Sequence, residues 1–483
     1  MDSLDFLCQV ADLVFANPFG NQRERLDCRL LGIPPGRLSF SDRSARLHGE
    51  VKQAFEDIAK NKGQFHIRHF DGNARTPITL AWMFYQYHEA LDRIETHIQE
   101  QTAAGDKPIK ADFAIRMAGD FQRAGFGRED TCHYIALIFQ AARAYCFIQG
   151  AILGKSRCMA HLREMLWNNI FTAHPQWYFN HLTGKMEDFS TLILGETGSG
   201  KSLVAHTLGQ SGFIPFDLET GSFTESFTDA FLSINLSQYP PSLLESELFG
   251  HKKGAFTGAI SHHDGIFARC SAHGAVFIDE IGDIDVPTQV KLLNILQERR
   301  FSPIGSNEKL RFSGRVISAT NQDIHALMEA GRFRTDLYYR LCSDIIEMPS
   351  LCRRIREDPE ELRHLIERLL PKILQNPDKR MATELEKIIR ATIPEDYRWP
   401  GNIRELEQCI RQICIRGSYR FDQTPQNPLQ KFPAEYFENK TSLAAVAADY
   451  CRFLYEKHGT FESAAKAAGI DRRTIKKYIE SKL

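Results

Sequence analysis

The stretch "TLILGETGSGKS", Thr191 to Ser202, decides the fold. "TLIL" reads as a short buried strand, and the glycine-rich run after it fits the GxxxxGK[ST] phosphate-loop pattern. Strand, glycine loop and helix in that order place backbone N–H groups at a helix N-terminus, where the dipole also favours anions. Here Gly195, Gly198 and Gly200 let the backbone of Glu196, Thr197 and Ser199 close round phosphates, Lys201 reaches the β and γ phosphates, and Ser202 ligates magnesium. The pattern predicts ATP and Mg2+ as ligands.

Working outward, the partner of this loop is "GAVFIDEIGD", in which an apolar strand delivers Asp279 and Glu280 at its C-terminal end. Open α/β sheets bind ligands at that end. Adjacent carboxylates there have separate tasks: Asp279 completes the magnesium shell with Ser202, and Glu280 polarises the attacking water as general base. Hydrolysis is therefore expected as well as binding. "FLSINL" and "RVISAT" are two further strand candidates, so the region from about residue 151 reads as a parallel sheet wrapped by helices.

The first 150 residues have helical periodicity. "TPITLAWMFYQYHEALDRIETHIQEQ" is its clearest helix, with Thr76 as N-cap and Pro77 in the first turn. The long apolar run from Tyr134 to Leu153 carries Arg143 near its middle, flanked by Gln140 and Gln149. An Arg at a bilayer centre costs about 2.5–3.5 kcal/mol, so this run is expected as a buried helix and no membrane partner is expected. His66 and His69 form an HxxH without further ligands nearby, which reads as a surface or core pair.

After Arg416, Pro425, Pro428 and Pro433 among Gln and Asn mark a linker. The tail ends in a short helix closed by Gly469 and a basic helix capped by Asp471, which makes a helix-turn-helix. The whole chain of 483 residues has 60 Lys+Arg against 61 Asp+Glu, so nucleic-acid contact must come from a local basic patch. Its 11 cysteines include no CxxC pair, and Asp2 and Asp5 stand where a secretory signal needs positive charge. Together these predict a reduced, cytoplasmic setting. The terminal "SKL" spells a peroxisomal address but reads as the end of a helix.

One segment resists a purely structural reading. "HKKGAFTGAISHH", His251 to His263, has a lone Phe256 among Gly254, Ala255, Thr257, Gly258 and Ala259, and packs poorly as a helix. It reads as a loop whose aromatic tip is either tucked in or offered to a partner.

"ESELFGHKKGAFTGA", "GAVFIDEIGDI", "FRTDLYYRL" and "WPGNIREL" together resemble the bacterial enhancer-binding proteins, the AAA+ ATPases that activate sigma-54 RNA polymerase. The resemblance covers residues 151 to 418 and the tail; the first 150 residues are not covered. It implies an AAA+ α/β fold with a helical lid, preceded by a mainly helical domain and followed by an all-α helix-turn-helix. The implied divisions are 1–150 regulatory, 151–345 nucleotide-binding, 346–418 lid, 419–440 linker and 441–483 DNA-binding.

The resemblance also implies roles. Residues 254 to 259 would engage the sigma factor in a nucleotide-dependent way. Asn235 would be a switch sensing the nucleotide through Glu280, Asn321 the first sensor and Arg404 the second. Arg334 and Arg340 would be fingers reaching a neighbour's site, which requires a homo-oligomeric ring, a hexamer assembled from dimers. Arg472, Arg473, Thr474, Lys476 and Lys477 would face double-stranded DNA, with Ile475, Tyr478 and Ile479 inward. The partners implied are sigma-54, RNA polymerase and upstream DNA.

Three departures from the family pattern stand out. Ser202 replaces a frequent acidic residue, Gly209 to Asn235 is longer than the norm, and "MPSLCRRIREDPEEL" leads into the lid in altered form. Two other readings compete. A helicase or loader of the same class would lack the 254–259 segment, and a regulator holding ATP only as a ligand would not need Glu280. The signal sensed by residues 1–150 and the DNA sequence read are not legible.

Overall fold

All four expected strands form, and a fifth joins them. In the computed structural model, which describes residues 2–420 and 443–480, these are β1 (Thr191–Leu194), β2 (Phe231–Asn235), β3 (Ala275–Asp279), β4 (Arg315–Thr320) and β5 (Asp344–Glu347). They make one sheet of order β2-β3-β4-β1-β5 with every pairing parallel. The run "DIIE" escaped the sequence reading because it offers only two apolar residues, and it pairs at the edge beside β1. The boundary placed at residues 345/346 is corrected accordingly. It would cut β5, so the sheet ends at Glu347.

Successive strand residues point to opposite faces, and both faces are apolar, as a parallel sheet requires. Ile193, Phe277, Ile317, Ala319 and Ile346 enter one core, while Leu192, Val276, Ile278 and Val316 enter another. The first core does not stop at the α/β part. It continues through α1 (Ser3–Val14), α2 (Asn21–Leu31), α3 (Phe40–Lys62), α4 (Arg75–Ala104), α5 (Asp112–Arg123), α6 (Arg128–Ala151) and α7 (Arg157–Phe171), and through α8 (Lys201–Gly209), which follows the phosphate loop. Residues 1–419 form one compact unit, so the boundary expected near residue 150 coincides with the end of α6 but not with any break in packing.

The long segment between Gly209 and Asn235 explains this continuity. Phe216–Asp217 pairs antiparallel with Ser222–Phe223, and Phe223 stacks on Phe139 of α6 with ring centroids 4.1 Å apart. Ala111 N donates to Gly221 O at 2.9 Å, and Ser226 Oγ donates to Gly105 O at 2.9 Å. The extra residues thus seat the N-terminal helices on the sheet.

Arg143 is fully buried on α6, its guanidinium 4.8 Å from the Phe139 ring centroid and 5.3 Å from that of Phe227, and it donates to Gly212 O. Burial pushes its pKa down to about 9. No helix among the described residues is long and apolar enough to cross a membrane. Thr76 is not an N-cap: α4 starts at Arg75, entered from a 3-10 turn at Gly72–Ala74.

Four helices follow β5: α9 (Leu351–Glu357), α10 (Glu361–Ile373), α11 (Lys379–Thr392) and α12 (Asn402–Arg416). In the altered lead-in, Arg354 Nε donates to the fully buried Glu361 at 2.8 Å, and Lys155 N donates to the same carboxylate at 3.1 Å. The lid is therefore tied to the segment between α6 and α7. Most of the expected linker, and the terminal "SKL", lie outside the described residues.

The second unit holds α13 (Leu443–His458), α14 (Phe461–Ala468) and α15 (Arg472–Glu480) around Cys451, Leu454, Ala464, Ala465 and Ile475. Thr460 caps α14 by accepting from Ser463 N, and Gly469 closes it at φ 69°. Asp471 accepts from Arg473 N at 2.6 Å and Thr474 N at 3.2 Å, which fixes the start of α15.

Candidate nucleotide site and glycine-rich loop

The phosphate loop lies between the end of β1 and α8, with Lys201 as the first residue of the helix. Its ammonium donates to the carbonyls of Gly195 at 2.9 Å and Glu196 at 3.3 Å. Burial lowers the Lys201 pKa, Glu280 and Asp279 oppose that shift, and Arg404 adds to it. These four expected site residues therefore share one electrostatic neighbourhood, although Arg404 itself is exposed.

Ser202 Oγ lies 3.5 Å from Asp279 Oδ2. A hydroxyl and a carboxylate at that separation form an oxygen donor pair suited to a hard cation such as Mg2+. Glu280 follows at φ 56°, a left-handed conformation that costs a residue with a Cβ about 1–2 kcal/mol. Backbone strain of this kind concentrates where a side chain must be aimed. Glu280 Oε2 accepts from Asn321 N at 3.3 Å, and Asn321 Nδ2 donates to Thr197 Oγ1 at 2.8 Å. Asn321 thus bridges the carboxylate pair and the phosphate loop from the end of β4.

Asn235 is placed differently from the expected pairing with Glu280. Its register partner is Asp279, and its side-chain oxygen caps the next turn by accepting from Ser237 N at 3.0 Å. No hydrogen bond joins it to Glu280 among the described residues. Arg334 and Arg340 sit at the two ends of the helix Thr335–Leu341 and make no hydrogen bond to the phosphate loop of their own chain. Arg334 pairs with Asp336 at 2.7 Å, both exposed to solvent, and Arg340 is exposed.

A residue outside the expected set proves central to the geometry. Asn402, fully buried at φ 50°, donates to Glu196 Oε2 at 2.8 Å and Thr197 O at 3.2 Å, and accepts from Leu351 N at 2.7 Å. Ile403 N donates to Gly198 O at 3.1 Å. A Cβ on Gly198 would lie 2.2 Å from Gly401 O, so glycine is needed there for the close approach of the lid as well as for its φ of 75°. The signal available in sequence was an Asn directly after Gly401 at a helix start, a pair that tolerates left-handed backbone.

The segment His251 to His263 is a loop whose ends are joined: His251 N donates to His263 O at 2.9 Å and His263 N returns to His251 O at 3.0 Å. Gly254 N then closes on Ala259 O at 2.8 Å. Gly254 and Gly258 have φ of 82° and 105° with open space around them, so they serve the turn and not a packing contact. Phe256 is 36% exposed, edge-on to the His251 ring at 5.0 Å; Thr257 is exposed, Ala259 buried and Ile260 82% exposed.

In the second unit, Ile475 is buried and Tyr478 and Ile479 pack against the core, as expected. Arg473, Lys476 and Lys477 are exposed on α15, Thr474 is half-buried, and exposed Arg472 forms an ion pair with Glu462 at 3.2 Å. A surface pair of this kind contributes about 0–1 kcal/mol. It leaves Arg472 available for exchange to another anion.

Residues 180–347 match the sigma-54 interaction domain, and residues 356–446 match the AAA+ ATPase lid domain. The chain is 34% identical over 338 residues to the transcriptional regulatory protein ZraR of Salmonella typhimurium, covering 68% of each. It is 39% identical over 226 residues to the Nif-specific regulatory protein of Azotobacter vinelandii, covering 47% of this chain and 40% of that protein. To the DNA-binding transcriptional regulator NtrC of Azospirillum brasilense it is 36% identical over 228 residues, 47% of this chain and 43% of that one. A crystal structure of NtrX from Brucella abortus in complex with ATP aligns with 76% of this chain and 80% of that chain, at 19% identity and a TM-score of 0.41.

Proposed function

The chain belongs to the sigma-54-dependent transcriptional regulators, and we propose that it binds upstream DNA, assembles into a ring and uses ATP hydrolysis to remodel the sigma-54 RNA polymerase closed complex into an open one. The observation that carries this reading is the sigma-54 interaction domain match over 180–347, which encloses both the Lys201, Asp279 and Glu280 cluster and the glycine-rich loop of 254–259.

In this reading Gly195 to Ser202 cradle the phosphates of ATP, and Lys201 leaves its carbonyl partners for the β and γ phosphates. Ser202 and Asp279 would hold Mg2+, which when bound offsets phosphate charge. Glu280, already aimed by its backbone and by Asn321, takes a proton from the attacking water. Asn235 changes partner from Ser237 towards Glu280 as the nucleotide state changes. Asn321 and Arg404 read the phosphates from β4 and from the lid.

Arg334 and Arg340, bonded to nothing in their own chain's site, act on the neighbour's nucleotide, where such residues contribute about 10³–10⁵ in rate. Arg334 must first exchange its exposed pairing with Asp336. Phe256 and Thr257 at the tip of the loop grip the sigma factor. Residues 1–150 regulate turnover, and α15 reads DNA through Arg472, Arg473, Thr474, Lys476 and Lys477 in the cytoplasm. Phosphate contacts by these cations would make DNA affinity fall with salt.

The test is phosphate release by the full chain and by Glu280→Gln. Turnover in the wild type and loss by at least about a hundredfold in the variant, with ATP still bound, is the expected result. Equal and negligible release in both would instead leave a regulator that holds ATP as a ligand only.

A further inference from the structure

One cavity lies away from the phosphate loop. It lies among the N-terminal helices, has a volume of about 470 Å³, and is walled by the rings of Phe40, Phe84, Tyr87, Tyr145, Trp167 and Phe179. That volume falls in the range of about 300–1,000 Å³ typical of small-molecule sites, which combine an apolar lining with a few placed polar groups.

Two such groups, on Arg23 and Ser44, line this cavity without partners, and a third, His48 Nε2, has only an ion pair with Glu89 at 3.2 Å. Arg23, 7% exposed, is held through Nε by Asp27 at 2.7 Å, while its Nη2 has no hydrogen-bond partner. Its guanidinium carbon sits 5.4 Å from the Phe40 ring centroid and 5.9 Å from that of Phe84, both in the cavity wall. Ser44, also 7% exposed, has a hydroxyl with no partner. Buried polar groups are normally satisfied, so two orphans at one apolar cavity define a place for something that brings acceptors.

The buried charges beside them balance, so it is the two free donors, not net charge, that select an acceptor-bearing ligand. Asp27, fully buried, is shared between Arg23 and Arg43, whose Nε lies 3.3 Å from its second oxygen, while Glu24 serves Arg43 and is a third exposed. His88, in the same wall, is held neutral by burial and by Arg23, with its pKa pushed down to about 3. Asp92 and Glu95 also line the cavity, but both are exposed to solvent, where water screens them.

We propose that this cavity is a sensory site for a small aromatic carboxylic acid, its ring among the aromatic side chains and its carboxylate on Arg23 Nη2 and Ser44 Oγ. The walls carry its occupancy towards the nucleotide. Trp167 lies on α7 two residues before Asn169, which donates to Thr191 Oγ1 at the start of β1 at 3.0 Å and to Asp344 at 2.6 Å. Tyr178, another wall residue, is hydrogen-bonded to Gln140, which donates to Ser211 O just beyond α8 at 3.0 Å. Only the control of turnover rests on the proposed ATPase function; ligand binding stands apart from it.

The test is calorimetric titration of the full chain with 2-naphthoate, 2-naphthamide and 2-naphthylmethylamine as acid, neutral and cationic probes. The acid is expected to bind at least about tenfold more tightly than the amide, and the amine not at all. Ser44→Ala is expected to weaken the acid about tenfold, and Ala141→Phe, which puts a ring into the cavity from its α6 wall, to abolish binding. No binding of the acid up to about 10 mM, equal binding of acid and amine, or unaltered binding by Ala141→Phe would overturn the site. Binding without any change in ATP turnover would overturn its sensory role, whereas absence of turnover with and without the acid would count against the ATPase reading instead.

Discussion

Replacing Asn402 by Ala tests whether the lid is clasped to the phosphate loop by this one side chain. The substitution strands Leu351 N–H in a buried place, which costs about 1–3 kcal/mol, and removes a hydrogen bond to the Glu196 carboxylate, which contributes about 1.5–3 kcal/mol. Ala at φ 50° adds about 1 kcal/mol relative to Asn, which tolerates the left-handed region. These sum to about 3.5–7 kcal/mol, and a value near the low end, about 4 kcal/mol, already corresponds to roughly three powers of ten in the docking equilibrium. Ile403 reports that equilibrium directly, because its N–H is bonded to Gly198 O across the interface. Amide hydrogen exchange at Ile403 should accelerate by about 10²–10³ in the Asn402→Ala chain, and ATP affinity should fall with it. Asn402→Gly relieves the backbone and should recover about fivefold of that loss. Exchange at Ile403 within about threefold of the wild type would refute the clasp, since no rearrangement could then be charging the buried groups their desolvation penalty.

Three further outcomes are expected. Gly198→Ala forces its new methyl to 2.2 Å from Gly401 O, so the lid must move away; nucleotide affinity should drop by at least about tenfold, and an unchanged dissociation constant would show that the lid position is immaterial. Thr257→Ala, at an exposed loop position, should shift stability by less than about 0.5 kcal/mol and leave ATP turnover intact while abolishing promoter opening, scored by permanganate footprinting; normal opening would remove the loop's assigned contact. Burial pushes His97 down to about 4 and His88 down to about 3, with Arg143 and Arg23 respectively as the next causes. The unfolded chain therefore binds protons below pH about 6.5 that the folded chain does not, so each group removes about 1.4 kcal/mol of stability per pH unit from about 6.5 to about 4. Denaturant midpoints at pH 7 and 5 check this, and His97→Gln should flatten the slope by one proton's share.

How far the sequence speaks depends on how local the physics is. A phosphate loop is a contiguous run whose glycines, lysine and serine act through their own backbone, so "GETGSGKS" could be placed between strand and helix without any tertiary information. Strand-end carboxylates are local in the same sense, and so are the cap at Asp471 and the helix stop at Gly469. Asn402 is not legible in sequence, because its partners, Glu196 and Leu351, are distant along the chain and nothing in "WPGNIREL" distinguishes a clasp from an ordinary helix start. Arg334 and Arg340 are legible only through their motif context, because Arg334 pairs with its neighbour Asp336 and neither bonds to the phosphate loop of its own chain.

The sequence alone determined the α/β class, the nucleotide loop, the carboxylate pair and the basic terminal helix, because each is written in short-range spacing and polarity. Only the tertiary structure decided that the N-terminal helices share a core with the sheet, that the long segment after Gly209 seats them there, and that an aromatic cavity with two orphaned donors lies beside the helix leading into β1. The reason is that packing and desolvation belong to pairs of surfaces. An apolar residue declares that it will be buried, but which surface it meets, and which polar groups are left facing a void, is fixed only when distant segments close on each other.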